Sequence, residues 1–338
     1  MAERPVVEAF APGRVNLIGD HTDYAGGLAL PMAIQLGTTV VGTPTDDGVV
    51  RLRSAEQAEP AVVPTGVDDP AAVRPPWARY VAGVVAELEG TTGFDGTVSS
   101  TLPIGSGLSS SAALELAVAL ALGFDGPPIE LARLGQRAEQ RASGVPCGLM
   151  DQLTSACGQA GQALLIDFAT DDWTPVPMPT TAEVVVVHSG RERALASSAY
   201  GERRTAVERA AAVIGPLGRA TLADVDRISD LVVRRRARHV VTEDERVRAF
   251  ADALRDGELA TAGELMIDSH RSLRDDFAVS TPELDALVDE LVSTPGVHGA
   301  RLTGAGFGGC VVALTDPGAL APGPRRWVVT ASAGAHRR

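Results

Sequence analysis

A dense group of polar side chains lies near the N-terminus of the sequence. Arg14, Asp20, His21 and Asp23 fall within ten residues, directly around and after a short apolar run. A ligand with many hydroxyl groups needs such a mixture of hydrogen-bond donors and acceptors at the end of a strand. A solvated turn with a salt bridge is the alternative, and the density of Asp, His, Thr and Tyr favours the binding site.

A glycine- and serine-rich segment at residues 105–111 is the second candidate for chemistry. It runs directly into an apolar helix pattern. Glycine lets the backbone approach a ligand closely, and the N–H groups at the start of a helix favour an anion such as phosphate. Serine hydroxyls can also reach a bound Mg²⁺. The alternative is an ordinary turn whose serines cap the helix, and the loop alone leaves both interpretations open.

Two carboxylates complete the set. Glu139 lies near the end of an amphipathic helix pattern, and Asp151 follows twelve residues later among mostly small or apolar neighbours. A carboxylate at an apolar helix start is either a buried base or an N-cap, and Glu139 alone could be a surface helix residue. The spacing does not decide between these roles.

The elements that position these groups alternate between strands and helices. Period-two and buried patterns predict strands at 6–10, 14–18, 38–42, 49–53, 96–102, 163–168, 183–188, 297–302, 310–314 and 327–331. Helical spacing predicts helices at 77–88, 109–122 and 129–142 and over most of 195–292, with a loop at 54–76. Three prolines within 171–181 indicate a domain boundary. The pattern predicts an α+β protein with domains at 1–176 and 177–338.

Composition excludes several functions. The chain has 338 residues and a net charge of −13, and all 30 of its Lys and Arg residues are Arg. Without lysine, Schiff-base chemistry, a Walker A loop and a protein-kinase site cannot form. The acidity argues against binding to nucleic acid or to an anionic membrane surface. We interpret the arginine run at 234–239 as a solvated helix face, because the acidic residues 243–245 follow it closely.

Cysteine usage and apolar runs bear on the compartment. The three cysteines show no CxxC spacing, which favours reduced thiols. The first nine residues contain no signal-peptide h-region, and the longest apolar stretch, 116–122, is too short to cross a bilayer. We expect a cytoplasmic protein.

Four segments together resemble the galactokinases of the GHMP small-molecule kinase superfamily. GRVNLIGDHTDYAGGLALPMAI at 13–34 resembles the galactokinase signature, and PIGSGLSSSAALE at 103–115 resembles the ATP loop of the superfamily. AEQRASGVPCGLMDQL at 138–153 is similar to the catalytic segment, and RLTGAGFGGC at 301–310 to the third motif. The segments occur in the expected order.

The resemblance implies a fold and a reaction. The fold is an N-terminal domain like the second domain of ribosomal protein S5 and a C-terminal ferredoxin-like domain, with the active site between them. The reaction transfers the γ-phosphoryl group of ATP to the C1 hydroxyl of α-D-galactose, the first committed step of galactose catabolism. Mg²⁺ is the implied cofactor, ATP and galactose are the implied partners, and we expect a monomer.

The resemblance also implies residue roles. Asp151 matches the catalytic base and Arg14 the cation that stabilises the transition state. The sugar contacts would be Asp20, His21, Thr22, Asp23, Gly148 and Tyr200. The ATP contacts would be Trp77, Gly105, Ser106, Gly107, Leu108, Ser109, Ser110 and Ser111. Ser111 and Glu139 match the Mg²⁺ ligands.

The chemistry of the residues agrees with these roles. Phosphoryl transfer needs positioning and charge neutralisation more than covalent work. Without lysine, neutralisation falls to Mg²⁺, a helix N-terminus and Arg14. An arginine beside Asp151 favours the ionised carboxylate, which can accept the proton of the sugar hydroxyl. We expect direct in-line transfer without a phosphoenzyme.

The sequence departs from the galactokinase pattern at three places. Asp20 stands where the family usually has the Glu that contacts the C6 hydroxyl, and Ala25 stands where it usually has Asn. The retained charge and number of acceptors at position 20 favour a tolerated acidic swap, and altered specificity at C6 is the alternative. The proline- and glycine-rich stretch 316–326 replaces a helix, which we expect to uncover part of the C-terminal sheet.

The alternative functions are a GHMP kinase for arabinose, galacturonate or N-acetylgalactosamine, or a non-catalytic galactose and ATP sensor. The glycine- and serine-rich segment 105–111, the serine loop, is complete in this sequence, which argues against the sensor.

Overall fold

A six-stranded sheet forms the base of the N-terminal half of the computed structural model, which describes residues 4–103, 106–144, 146–191 and 196–338, without the side chains of 196–198. Its strands are β1 (Val7–Asn16), β3 (Pro31–Pro44), β4 (Val49–Ser54), β5 (Ala61–Pro64), β6 (Phe94–Ser100) and β13 (His336–Arg337), in the order β13-β1-β3-β6-β4-β5. All neighbouring strands are antiparallel except β4 and β6. Four helices pack in this half: α1 (Ala78–Glu87), α2 (Ser110–Ala121), α3 (Pro128–Ser143) and α4 (Met150–Cys157).

Two smaller sheets follow. One contains β2 (Leu28–Ala29), β7 (Gln162–Asp167) and β8 (Asp172–Pro177), in the order β2-β7-β8. The other is antiparallel and contains β9 (Glu183–His188), β10 (Val297–Thr303), β11 (Cys310–Thr315) and β12 (Arg326–Val329), in the order β10-β11-β9-β12. Four consecutive valines in β9 are buried, which fits a strand packed on both faces.

The helices of the C-terminal half have clear sequence limits. They are α5 (Ala196–Ile214), α6 (Leu222–Val225), α7 (Leu231–Asp256), α8 (Leu259–Ser272) and α9 (Pro282–Val292). Asp230 caps α7 by accepting hydrogen bonds from two backbone N–H groups, and Gly257 ends the helix in the left-handed conformation. Thr281 caps α9 by accepting a hydrogen bond from the Leu284 N–H, with Pro282 in the first turn.

The α+β prediction is confirmed, with local corrections. The two strands expected at 6–10 and 14–18 are one strand, β1, whose register shifts between Pro12 and Arg14 where we expected a turn. The expected loop at 54–76 contains β5 and a short 3-10 helix. The domain division at residue 177 stays a prediction, and the last strand, β13, returns to pair with β1.

The predicted loss of a helix between β11 and β12 is confirmed, because residues 316–325 contain none. The expected exposure of the sheet is not seen at Val185 and Val187, which stay buried. Leu320 from the connecting loop is itself buried and packs in their cluster. No helix in the described part of the chain has both the length and the apolar character to cross a membrane.

Candidate active site

A cavity of about 180 Å³ brings the predicted groups together from distant parts of the chain. It is lined by Arg14, Asp20, His21, Asp23, Glu139, Cys147, Gly148, Met150, Asp151, Gln152, Tyr200, Gly304 and Ala305. The cavity is therefore lined by side chains and backbone from strand β1, the loop after it, α3, α4, α5 and the glycine-rich loop before β11.

Arg14 and Asp151 form the charged centre of the cavity. The Arg14 Nε and Nη2 atoms lie 2.9 and 2.6 Å from Asp151 Oδ1, and Arg14 Nη1 donates to the Gly107 carbonyl at 2.9 Å. The Ser109 hydroxyl donates to Asp151 Oδ2 at 2.5 Å. The arginine is nearly buried, whereas 32% of the Asp151 side chain is exposed. The carboxylate is thus oriented on both sides and still reaches the cavity.

The glycine- and serine-rich loop ends in a helix N-terminus that faces this centre. Ser109 adopts the left-handed conformation, with φ 60°, directly before α2. Its hydroxyl contacts Asp151 instead of capping the helix, so the first backbone N–H groups of α2 remain available to an anion. The Ser106 hydroxyl closes the loop by donating to the Pro103 carbonyl at 2.7 Å. Gly105 lies outside the described residues.

A second cavity of about 320 Å³ lies on the other side of the start of α2. Its lining residues are Thr38, Ser54, Glu56, Gln57, Trp77, Tyr80, Val98, Ser100, Leu102, Ser110, Ser111 and Leu114. The Trp77 indole N–H donates to the Glu59 carbonyl at 3.0 Å, which fixes the ring at the edge of the cavity. Aromatic and apolar walls beside a helix N-terminus suit a nucleotide base and its phosphates.

Ser111 and Glu139 join the two cavities. The Ser111 hydroxyl donates to Glu139 Oε1 at 3.0 Å. Among the described residues, no cluster of three or more His, Cys, Asp and Glu side chains forms a metal cage. Mg²⁺ usually binds one or two protein oxygens together with phosphates and water, so this hydroxyl and carboxylate fit that ion.

His21 is held in an unusual position. Its backbone is left-handed, with φ 66°, and its ring centroid lies 4.6 Å from that of Phe277 and 5.7 Å from that of Tyr200. Burial lowers the pKa of His21 to about 3, so the ring is neutral. Nδ1 lies 2.9 Å from the Tyr24 hydroxyl, and Nε2 has no partner among the described residues. A sugar hydroxyl would satisfy that nitrogen.

Asp23 and Gly148 depend on each other. A side chain at Gly148 would overlap the Asp23 carboxylate, so only glycine leaves room for it. Burial, and then the charge of Asp151, raises the pKa of Asp23 to about 7. Burial also raises the pKa of the neighbouring Tyr200 hydroxyl well above its usual value, which keeps that hydroxyl a donor.

Asp20 is held by the C-terminal half of the chain. Arg301 Nη2 donates to Asp20 Oδ2 at 2.6 Å, and the Gly304 N–H donates to Oδ1 at 2.9 Å.

Thr22 is the predicted sugar contact that does not line the cavity. Its buried hydroxyl lies 2.9 Å from the Gly19 carbonyl and 2.7 Å from the Leu28 carbonyl, which makes it a brace of the loop.

Sequence reasoning missed three side chains of α7 that anchor the segment 17–28 after β1. Glu243 accepts a hydrogen bond from the Gly19 N–H at 3.1 Å, and Asp244 accepts one from the Leu28 N–H at 2.8 Å. His239 Nε2 lies 3.1 Å from the Asp20 carbonyl. All three are buried, so the solvated-face interpretation fails for this part of the helix.

Family models match three parts of the chain. The galactokinase galactose-binding signature matches residues 2–44, the N-terminal domain of GHMP kinases matches 79–159, and the C-terminal domain of GHMP kinases matches 250–325. The first range contains the polar residues between Arg14 and Asp23. The second contains the serine loop together with Glu139 and Asp151, and the third contains the glycine-rich motif at 301–310.

Relatives and solved structures agree with these models. Galactokinase from Homo sapiens is 44% identical over 334 residues, covering 93% of this chain and 85% of that protein. Galactokinase from Chloroflexus aggregans is also 44% identical, over 92% of this chain and 84% of that protein. The crystal structure of Lactococcus lactis galactokinase complexed with galactose matches with a TM-score of 0.90 and 33% identity, covering 98% of this chain and 95% of that one. Methanococcus jannaschii mevalonate kinase shares the fold, with a TM-score of 0.67 and 22% identity.

Proposed function

The chain belongs to the galactokinase family of the GHMP kinases, and we propose that its Arg14–Asp151 pair phosphorylates galactose between the two cavities. The enzyme transfers the γ-phosphoryl group of ATP to the C1 hydroxyl of α-D-galactose and releases α-D-galactose 1-phosphate and ADP. Neither a GHMP kinase for another sugar nor a non-catalytic sensor is favoured by the relatives.

Asp151 is the base of the reaction. Its carboxylate accepts the C1 hydroxyl proton as the oxygen attacks phosphorus, while the bond between the γ-phosphorus and the ADP oxygen breaks. The carboxylate is supported by Arg14 on Oδ1 and by Ser109 on Oδ2, so it keeps one orientation while the sugar binds. Arg14 also places a positive charge where the transferring phosphoryl group passes.

The nucleotide binds along the serine loop. The N–H groups at the start of α2 hold the phosphates, and the Trp77 side of the second cavity holds the base. Ser111 and Glu139 would hold Mg²⁺, and the bound ion would neutralise phosphate charge during transfer.

The sugar binds in the first cavity. Asp23 and Asp20 accept hydrogen bonds from its hydroxyl groups, and His21 Nε2 and the Tyr200 hydroxyl complete the polar wall. Gly148 keeps the space that Asp23 needs. Thr22 acts through the loop conformation instead of through the sugar.

The phosphoryl group moves directly from ATP to the sugar. Asp151, the carboxylate beside the transfer path, has its two oxygens occupied by Arg14 and Ser109, which suits a base better than a nucleophile. Chiral γ-phosphate tests this step: inversion at phosphorus is expected, and retention would show a phosphoenzyme.

The observation that carries the proposal is the contact of Asp151 with both Arg14 and the serine loop. ADP release tests it, with MgATP and a panel of D-galactose, D-glucose, L-arabinose, D-fucose, D-galacturonate and N-acetylgalactosamine, and with Asp151→Asn as the blank. Activity with galactose that the variant lacks is the expected result. Galactose binding without ADP release from the unaltered chain would overturn it in favour of the sensor.

We also propose that the enzyme acts as a monomer in the cytoplasm. The odd, sparse cysteine count and the absence of CxxC spacing in the sequence support a reducing compartment. Size-exclusion chromatography with light scattering checks the oligomeric state, and a stable dimer would contradict this part of the proposal.

A further inference from the structure

A row of buried side chains lies directly behind the Ser111–Glu139 pair. Gln152 Nε2 donates to Glu139 Oε2 at 2.5 Å and to Glu115 Oε2 at 3.1 Å. With the Ser111 hydroxyl on Oε1, both oxygens of Glu139 are therefore held by donors. The row joins α2, α3 and α4, the three helices that surround the serine loop and the base.

The three side chains of this row differ in burial, and burial affects their charge. Gln152 and Glu115 are both fully buried, whereas Glu139 is half-buried. Gln152 and Glu139 both line the main cavity. Burial, and then the charge of Glu139, raises the pKa of Glu115 well above its usual value, which favours the uncharged form of this side chain. The uncharged form of Glu115 avoids the repulsion between two neighbouring carboxylates.

The orientation of the Gln152 amide follows from its two neighbours. Reversal of the amide would place the carbonyl oxygen Oε1, which can only accept hydrogen bonds, where Nε2 now donates to the two carboxyl oxygens. The Nε2 group must therefore face Glu139, and Glu115 fixes the amide from the other side. Gly135 packs against the Gln152 side chain, where a Cβ would lie 3.0 Å from Cγ, so the side chain has little freedom to move away.

We propose that Gln152, anchored by Glu115, is a positioning residue that holds the Glu139 carboxylate ready to bind Mg²⁺. This inference rests on the proposed role of Glu139 as a metal ligand. Because Glu139 has a long side chain and is partly exposed, it would sample other rotamers without the amide on Oε2. Gln152 directly follows Asp151 on α4, so one turn of helix positions both the base and the metal ligand.

Nucleotide binding measures this role without any turnover. A fluorescent ADP analogue is titrated in the absence of metal and then with increasing Mg²⁺, which gives the Mg²⁺ concentration for half-maximal enhancement of binding. Residues behind a metal ligand commonly change metal affinity by ~10–100-fold. Gln152→Met should raise this Mg²⁺ concentration by about 10-fold, and binding of the analogue without metal should stay near the value of the unaltered chain.

Further variants separate the role of the Gln152 amide from that of the Glu115 carboxyl group. Gln152→Asn retains an amide but is one methylene too short to reach both carboxyl groups, so it should shift the Mg²⁺ requirement in the same direction. Glu115→Gln keeps a neutral partner of the same shape and should retain a Mg²⁺ requirement close to that of the unaltered chain, whereas Glu115→Leu should not. Thr154→Val is the matched control, because Thr154 is buried on the same helix and its hydroxyl contacts only the Met150 carbonyl in the described structure.

Two results would overturn the proposal. One is an unchanged Mg²⁺ requirement in Gln152→Asn or Gln152→Met. The other is a loss in which metal-free nucleotide binding weakens as much as the metal-dependent part, which would show a merely structural role. Failure of the unaltered chain to phosphorylate galactose would instead contradict the proposed function, and the binding titration does not depend on that activity.

Discussion

A proton on Asp23 should control how tightly the enzyme binds galactose. Burial and the nearby Asp151 raise the pKa of Asp23 to about 7 in the unliganded site. The ionised carboxylate only accepts hydrogen bonds, and such charge-assisted bonds to sugar hydroxyls are stronger than those of the neutral acid. Galactose should therefore select the ionised form, and its binding should weaken as the pH falls through 7.

The size of the effect follows from the fraction of ionised Asp23. With a pKa of about 7, roughly one tenth of the enzyme is competent at about pH 6 and roughly nine tenths at about pH 8. The apparent Kd scales inversely with that fraction, so it should rise about 10-fold between these two pH values. Near pH 7, binding should release about half a proton per galactose.

Isothermal titration calorimetry measures both quantities. Titrations in two buffers of different ionisation enthalpy give the proton release, and titrations across the pH range give the Kd. Asp23→Asn, which has no proton to lose, should bind weakly and with little pH dependence. Asp151→Asn removes the second cause of the shift and should move the transition to lower pH. A Kd that stays constant over this range, or a pH dependence that persists in Asp23→Asn, would refute the reasoning.

Three further substitutions test other parts of the site. Asp151→Asn should lower kcat by about 10²–10⁴-fold, because it removes the base, while isothermal titration shows that galactose still binds; a kcat within 10-fold of the unaltered chain would exclude that role. Gly148→Ala should raise the KM for galactose and leave that for ATP nearly unchanged, because the added Cβ occupies the position of the Asp23 carboxylate; steady-state kinetics with each substrate varied in turn decide this. Arg301→Met leaves Asp20 buried without its cation, so urea denaturation should show a loss of ~3–5 kcal/mol in the free energy of unfolding, and a loss below ~1 kcal/mol would mean that the pair is not a buried ion pair in solution.

Most long elements could be predicted from the sequence because their patterns are local. The buried valines of β9 and the helical spacing of α3 show their structure within a few residues of chain. Strands β2 and β13 contain only two residues each, too few for any periodic signal. Both depend on pairing with distant strands, β2 with β7 and β13 with β1.

The site could be predicted only where residue type and motif coincide. Arg14 and Asp151 are 137 residues apart and still meet as expected, because each lies in its own recognisable segment. Glu243 gave no such signal, because an acidic residue after a run of arginines is usual on a solvated helix face. Its contact with the Gly19 N–H joins residues 224 positions apart, and nothing in either local segment indicates it.

The contacts of Asp20 with Arg301 and Gly304 determine what the shorter acid at this position changes. Arg301 and the Gly304 N–H already hold both oxygens of Asp20, but each carboxylate oxygen can accept more than one hydrogen bond. Asp20 thus remains an acceptor on the cavity wall, although its reach toward the sugar is one methylene less than that of Glu. Neither Arg14 nor Ser109 has a hydrogen bond with Asp20 among the described contacts. The substitution should therefore alter the choice between D-galactose and D-fucose, which differ at C6, and leave the transfer step itself unchanged.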